Sequence, residues 1–330
     1  MNVDNAAISP GAPHQGLLHC ADTVPAGLCE LFKIGIGPSS SHTIGPMKAA
    51  GLFLHNLGQQ VAGTHRLVAT AYGSLAWTGK GHATDKALIL GLAGEQPEEI
   101  DPDRVDQKLR DILRSSELIL PGGRAIHFDP KTDIVFDTSR SFERHPNAMT
   151  FEALDSSGKR LLHELWFSVG GGFVERDGVA DSHAAASGSV PYPYENASTL
   201  LAQGRSRRLS IPALVLANEA ARSPETDTAT VIDRIASAML ACIDRGLSQE
   251  GPIPGGLKIN RRAKGLYEKA EATRTSGDRD GSHALNYVSA FALAVNERGE
   301  RLRWSRRNRA NQRRGGSCAS RLTLLPRLLP

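Results

Sequence analysis

The sequence predicts an α+β domain with an antiparallel sheet over residues 28–176, followed by an all-α domain over residues 205–297. Three observations carry this expectation. Apolar residues recur at helical spacing in the runs that precede residue 118. They then alternate, broken by turn signals, between about 118 and 176. Beyond residue 205 four helical patterns follow one another with no strand between them.

Taken in order, residues 1–27 are rich in Ala, Gly and Pro and are expected to be a disordered leader. "GLCELFKIGIG" is a short apolar segment ending in glycines. Pro46 suits the first position of a helix, where its missing N–H would have no partner, and Met47, Ala50, Leu52, Phe53, Leu54 and Leu57 recur at helical spacing. "HRLVATAYGSLA" predicts a strand that leaves through Gly73. "ATDKALILGLAG" predicts a helix with Thr84 as N-cap and Gly91 or Gly94 near its end. "DPDRVDQKLRDILRSS" predicts another, capped by Asp101 with Pro102 in its first turn. "AIHFDPKTDIVFD" and "MTFEALDSSGKRLLHELWFSVGGGFV" read as strands, with Asp155–Gly158 turning a hairpin. Residues 177–204 are small, polar and proline-bearing, as a linker is. "SIPALVLANEAARS", "TATVIDRIASAMLACIDRGL", "INRRAKGLYEKAEATR" and "ALNYVSAFALAVNE" are the four helices that follow.

At 330 residues the chain can bury one large core or two ordinary ones, and 40% apolar with 22% charged residues is the balance of a globular protein. No apolar run reaches the roughly 18–20 residues of a membrane helix, and no basic residue precedes an apolar core at the N-terminus, so a cytoplasmic location is expected. Cys20, Cys29, Cys242 and Cys318 form no CxxC pair, which argues against a disulfide framework or a zinc site. The net charge of +4 is unevenly placed. From Arg298 onward there are ten arginines and one acidic residue, leaving 29 basic against 34 acidic residues before it.

The stretch with most chemistry is "GIGPSSSHTIGP". Ser39, Ser40, Ser41, His42 and Thr43 stand directly before a helix, where free N–H groups and the helix dipole favour a carboxylate or phosphate. The hydroxyls add donors, and His42 can serve as general base or as an anion contact. Simple N-capping by Ser41 or Thr43 accounts for one hydroxyl, but does not call for three serines and a histidine between paired Gly-Pro turns. Neither this stretch, which has no lysine, nor "GSLAWTGKG", where five residues separate the glycines and Gly81 replaces the hydroxyl residue, is a phosphate-binding P-loop. In "YGSLAWTGKGHATDKA", Lys80 and His82 can turn a cation and an imidazole into a cleft, or can sit on a solvated turn. "RHPNAM" and "SVGGGF" read first as tight connections. Lys258, Arg261 and Arg262 of "EGPIPGGLKINRRA" can hold an acidic group or cap a helix.

"LFKIGIGPSSSHTIGPMKAA", "YGSLAWTGKGHATDKA", "HPNAM", "SVGGGF", "PGGLKINRRA" and "AFALAVNE" occur in one order, and this strongly resembles the bacterial single-chain, iron–sulfur-dependent L-serine dehydratases, or L-serine ammonia-lyases. The resemblance covers residues 28–297. It implies a β-type domain followed by a helical catalytic domain, and a 4Fe–4S cluster with three cysteine ligands whose open iron takes the serine hydroxyl while a base removes the α-proton. The aminoacrylate so formed hydrolyses to pyruvate and ammonia. Carried onto this sequence, Ser39, Ser40, Ser41 and Thr43 match the substrate-side loop, His42 the base or a substrate contact, and Lys80 and His82 the second loop. The partner implied is L-serine, with no nucleic acid or membrane, and a homodimer is allowed.

The resemblance stops after "AVNE". The arginine-rich residues 298–330 fit a frameshift near codon 298, or else a divergent basic tail that is disordered. Either way Cys318 matches no cluster-ligand motif, so the expectation is a helical domain left incomplete, a cluster without its ligands, no metal residue in this chain, and a dehydratase by descent that is inactive as written. Two other readings are a β domain that binds serine without chemistry, and a nucleic-acid binder using the basic tail, which has a single aromatic, Trp304. A pyridoxal-phosphate dehydratase performs the same reaction, but its Schiff-base lysine context and glycine-rich phosphate loop are not assembled here.

Overall fold

Elements of the first half follow the periodicities closely. In a computed structural model, which describes residues 27–179, 190–253, 259–276, 282–298 and 302–304, the chain begins with α1 (Leu28–Leu31) and β1 (Phe32–Ile34). A single wide π-helical turn, Ser40–Ile44, runs without a break into α2 (Gly45–Leu57), with Pro46 in its first turn. Then come β2 (Arg66–Tyr72), α3 (Gly73–Thr78), α4 (Thr84–Leu92) and α5 (Pro102–Ser115). Asp101 caps α5 by accepting the Asp103 N–H, and Gly94, at φ +81°, lies just beyond α4.

β3 (Glu117–Ile119) and β4 (Ala125–His127) pair as a small separate ribbon. After the one-turn α6 (Pro130–Asp133), the main sheet is completed by β5 (Ile134–Asp137), β6 (Ala148–Leu154), β7 (Arg160–Gly170) and β8 (Phe173–Arg176). Its strand order is β5-β2-β6-β7-β8. Every pairing is antiparallel except β2 with β5, which is parallel, so the sheet is mixed. The parallel pair arises because the chain crosses over through α3, α4 and α5 before returning as β5.

α2 and α4 pack on one face of this sheet. Met47, Ala50, Phe53, Leu67, Ala69, Leu88 and Phe151 are all buried there, with the Phe53 and Phe151 rings stacked at 5.3 Å. The two helices approach closely because a Cβ on Gly91 would stand 2.3 Å from the Met47 carbonyl oxygen. On the opposite face Tyr72, Ala148 and Phe167 form a smaller cluster under Phe142.

The second half is helical: α7 (Ala197–Arg207), α8 (Ile211–Arg222), α9 (Thr228–Ser248), α10 (Ala263–Ser276) and α11 (Ser282–Arg298). α9, α10 and α11 share a core of Ile235, Met239, Ile243, Tyr287 and Phe291. Phe32 and Ile34 of β1 pack against that core, so the strand leading to the serine-rich loop is seated on the helical half. No described helix is long and apolar enough to cross a membrane.

Two stretches differ from expectation. α7 begins inside the 177–204 linker, because Asn196 and Thr199 form a capping box that starts a helix in a segment without an apolar face. Of the tail expected to be disordered, residues 302–304 form β9 (Leu302–Trp304), antiparallel to β1. Residues 1–26 of the expected leader and residues 305–330 of the tail lie outside the described residues.

Candidate functional site

The site is built on the π-turn. Ser39, in an extended conformation, is its cap: the Ser39 Oγ accepts the His42 N–H at 3.3 Å, and the Ser39 N–H donates to Thr43 Oγ1 at 3.1 Å. Capping thus falls to Ser39, two residues before the expected Ser41, while Thr43 answers it reciprocally. The Thr43 hydroxyl donates onward to the His82 carbonyl at 2.8 Å, and Thr84 Oγ1 donates to the His42 carbonyl at 2.6 Å. Those two bonds stitch the "SSSHT" loop to the "GKGHAT" loop. They also explain why Thr84 does not cap α4 as expected: its hydroxyl is engaged across the cleft, and Ala83 takes the cap position at φ 54°.

The expected row of free N–H groups at the start of α2 is not there. Thr43 and Ile44 donate to the Ser39 carbonyl, Gly45 to the Ser40 carbonyl, and His42 to the Ser39 hydroxyl. The dipole's positive end therefore lies one turn earlier, at Ser40 and Ser41. The Ser40 side chain is half-buried and accepts or donates no hydrogen bond among the described residues.

His42 sits between two hydroxyls. Its Nδ1 is 2.9 Å from Ser41 Oγ, and its Nε2 is 3.1 Å from Ser74 Oγ. Ser41 Oγ in turn lies 3.4 Å from Ser39 Oγ. The His82 ring is beside it, centroids 4.8 Å apart and tilted by 44°. His82 Nδ1 is 2.9 Å from the Thr78 carbonyl, which can only accept, so that nitrogen carries the proton. Burial, and then the charge of His82, push the His42 pKa below its ordinary value, against a smaller opposing effect from the Ser74 backbone. His42 is thereby a neutral imidazole near pH 7, which suits a base better than an anion contact. Lys80 is exposed, with no ion pair among the described residues, and Trp77 beside it is 72% exposed.

Ser74 lies inside the motif "YGSLAWTGKGHATDKA", but nothing in that stretch marks it as a site residue beside Lys80 and His82; it stands in α3. The motifs read as tight connections are what hold it. The Ser74 N–H donates to the Pro146 carbonyl at 2.8 Å, and Gly73, at φ +52°, passes so close that a Cβ would sit 2.4 Å from the same oxygen. Asn147 is buried and donates to the Ser168 carbonyl at 3.1 Å. Ser168, fully buried, lies against Gly45, where a Cβ would stand 2.0 Å from its Oγ. "HPNAM" and "SVGGGF" therefore frame the serine-rich loop from behind.

The structure brings together Ser39, Ser41, His42, Thr43 and His82. It leaves Lys80 at the rim. Arg261 and Arg262 stand apart, in the helical half, where the Arg262 and Ala263 N–H groups donate to the Glu297 carboxylate and cap α10; Lys258 lies outside the described residues. Cys20, Cys318 and the Cys29 side chain also lie outside them, and Cys242 is buried in α9. Among the described residues no three His, Cys, Asp or Glu side chains converge, so they do not fit the iron–sulfur cluster that the resemblance implies.

Comparison with known proteins adds an independent finding. Residues 27–179 match the family model described as Serine dehydratase beta chain. Over 272 residues the chain is 39% identical to the L-serine dehydratase of Streptomyces coelicolor, an alignment covering 81% of this chain and 59% of that protein. It is 36% identical over 272 residues to the L-serine dehydratase of Haemophilus influenzae, with the same coverage. It is likewise 36% identical over 272 residues to L-serine dehydratase 1 of Escherichia coli, covering 82% of this chain and 60% of that protein. The chain thus spans about three-fifths of the length of these curated relatives.

Proposed function

The chain belongs to the serine dehydratase family, with residues 27–179 as its beta-chain part, and on that premise we propose that it carries the substrate-side half of an L-serine dehydratase. In this reading L-serine is held at the Ser39–Thr43 loop and His42 is the base for its α-proton. Removing that proton and expelling the β-hydroxyl gives aminoacrylate, which hydrolyses to pyruvate and ammonia.

One observation carries the reading: a neutral imidazole, held at both ring nitrogens by hydroxyls, stands in the first turn of a helix whose positive end can receive a carboxylate. The half-buried Ser40 hydroxyl, which has no hydrogen-bond partner among the described residues, and the exposed Lys80 supply further groups for the anion. The departing hydroxide needs an electrophile, and among the described residues no group of three His, Cys, Asp or Glu side chains stands ready to hold a metal for it.

Thermal denaturation of the full chain tests the proposal. Millimolar L-serine is expected to raise the midpoint by a few degrees, as selective binding to the folded state does, while D-serine does not. His42→Gln is expected to abolish the increment. An identical midpoint with and without L-serine up to about 50 mM, far above the about 1 mM upper end of common KM values, contradicts it.

A further inference from the structure

We propose that Ile44 is the positioning residue for His42: two glycines grip the two branches of its side chain behind the serine-rich loop, and that grip sets where the imidazole points. That His42 serves as a base rests on the L-serine reading above; its placement by Ile44 does not.

Each residue of an α-helix turns the chain by about 100°, and a wider turn by somewhat less, so residues two apart face nearly opposite sides. Ile44, the last residue of the π-turn, therefore points away from His42. The surroundings agree. Ile44 is 1% exposed, whereas the His42 ring meets Ser41, Ser74 and His82 on the cleft side.

A Cβ on Gly35, just after β1, would stand 2.7 Å from Ile44 Cδ1 and 3.0 Å from its Cγ1. A Cβ on Gly172, in the turn between β7 and β8, would stand 3.0 Å from Ile44 Cγ2. Each branch of the side chain thus lies on one glycine. Isoleucine is branched at Cβ and holds one strongly preferred χ1 in a helix. Seating both branches therefore fixes the rotation of the backbone that carries them, as well as the depth of the side chain. Ser168 closes off the next residue. Its hydroxyl, fully buried and without a hydrogen-bond partner among the described residues, stands 2.0 Å from where a Cβ on Gly45 would be. "GIG" and "GGG" thereby share a purpose: the side chains they lack are the room that Ile44 takes.

Rotation of the turn matters because the groups facing His42 do not all turn with it. Ser74 belongs to α3, where its N–H is held by the Pro146 carbonyl at 2.8 Å, and His82 belongs to the second loop. A turn that rotates changes the 3.1 Å contact of Nε2 with Ser74 Oγ and the 4.8 Å spacing to the His82 ring.

The test follows the His42 imidazole by nitrogen-15 histidine NMR on the full-length protein without L-serine, with His42→Gln identifying the signal. The titration runs between about pH 8 and about pH 5, which brackets the ordinary histidine value. The wild-type midpoint is expected below 6.5. Ile44→Leu keeps the volume but moves the branch point, and is expected to raise the midpoint by about half a unit, within the roughly 1-unit spread that surroundings give histidines. Ile44→Val keeps both Cγ branches and is expected to leave the midpoint at the wild-type value. Gly35→Ala is expected to raise it as Ile44→Leu does, and Gly35→Ala with Ile44→Val, which removes the Cδ1 that the new methyl meets, to bring it back. A folded Ile44→Leu with an unmoved midpoint overturns the proposal. Ile44→Val moving it as far as Ile44→Leu also overturns it, since burial alone then accounts for the residue. So does a Gly35→Ala midpoint that Ile44→Val does not bring back. Because no substrate is present, these outcomes are separate from success or failure of the L-serine experiment.

Discussion

His42 owes its chemistry to its surroundings rather than to its type. Burial and the neighbouring His82 lower its pKa from the ordinary 6.5. A folded-state pKa below the unfolded one means that protonation favours unfolding. The stabilising contribution is thus fully present above the unfolded value and is lost as pH falls through it toward the folded value. Urea denaturation between about pH 7.5 and 5.5, a window that brackets the ordinary histidine pKa, is expected to show wild-type stability falling with acid. His42→Gln is expected to show a shallower fall; equal slopes would contradict the assignment. The cluster around His42 was legible at this scale because Ser39 to Thr43 are neighbours in sequence. Ser74 was not: a serine 32 residues away in a short helix carries no local mark, and only the folded chain brings it to 3.1 Å. Gly45 is a second case. Its need for glycine comes from Ser168, on a strand far along the chain, and not from any turn at Gly45 itself.

Between elements, the serine-rich loop depends on how α2 is seated. Glu164 of β7 is buried and accepts from Asn56 of α2 at 3.1 and 3.2 Å, from Trp166 Nε1 at 2.9 Å and from Arg176 of β8 at 2.6 Å. A buried carboxylate with that many donors ties helix to sheet, and deleting it strands the partners without an acceptor. Glu164→Ala is expected to cost about 3 kcal/mol in urea denaturation, in the range for breaking a buried charged pair. A loss below about 1 kcal/mol, the worth of an exposed pair, would show that apolar packing alone seats α2. Helices and strands were largely legible from their apolar periods, since α2, α4 and the β6–β7 hairpin each bury one face. What the pattern did not carry was α7, whose signal is a capping box without an amphipathic face, and the parallel β2–β5 pair. Strand periodicity is the same for both directions, so only the crossover through three helices decides it.

At the scale of the whole molecule, the loop bridges two packed bodies. Its leading strand, β1, lies on the α9–α10–α11 core, while the helix that follows it lies on the sheet. Four sequence motifs that are spread from residue 32 to residue 173 converge on this bridge, which is why their order along the chain was informative before their geometry was visible. The central claim, that this convergence is a receptor for L-serine, is tested most directly by titrating L-serine into the full-length protein and following the His42 imidazole nitrogens. The account predicts a saturable change at Nδ1, absent with D-serine and lost in Ser41→Ala. His42 signals that stay unmoved at L-serine concentrations far above the about 1 mM upper end of common KM values would contradict it.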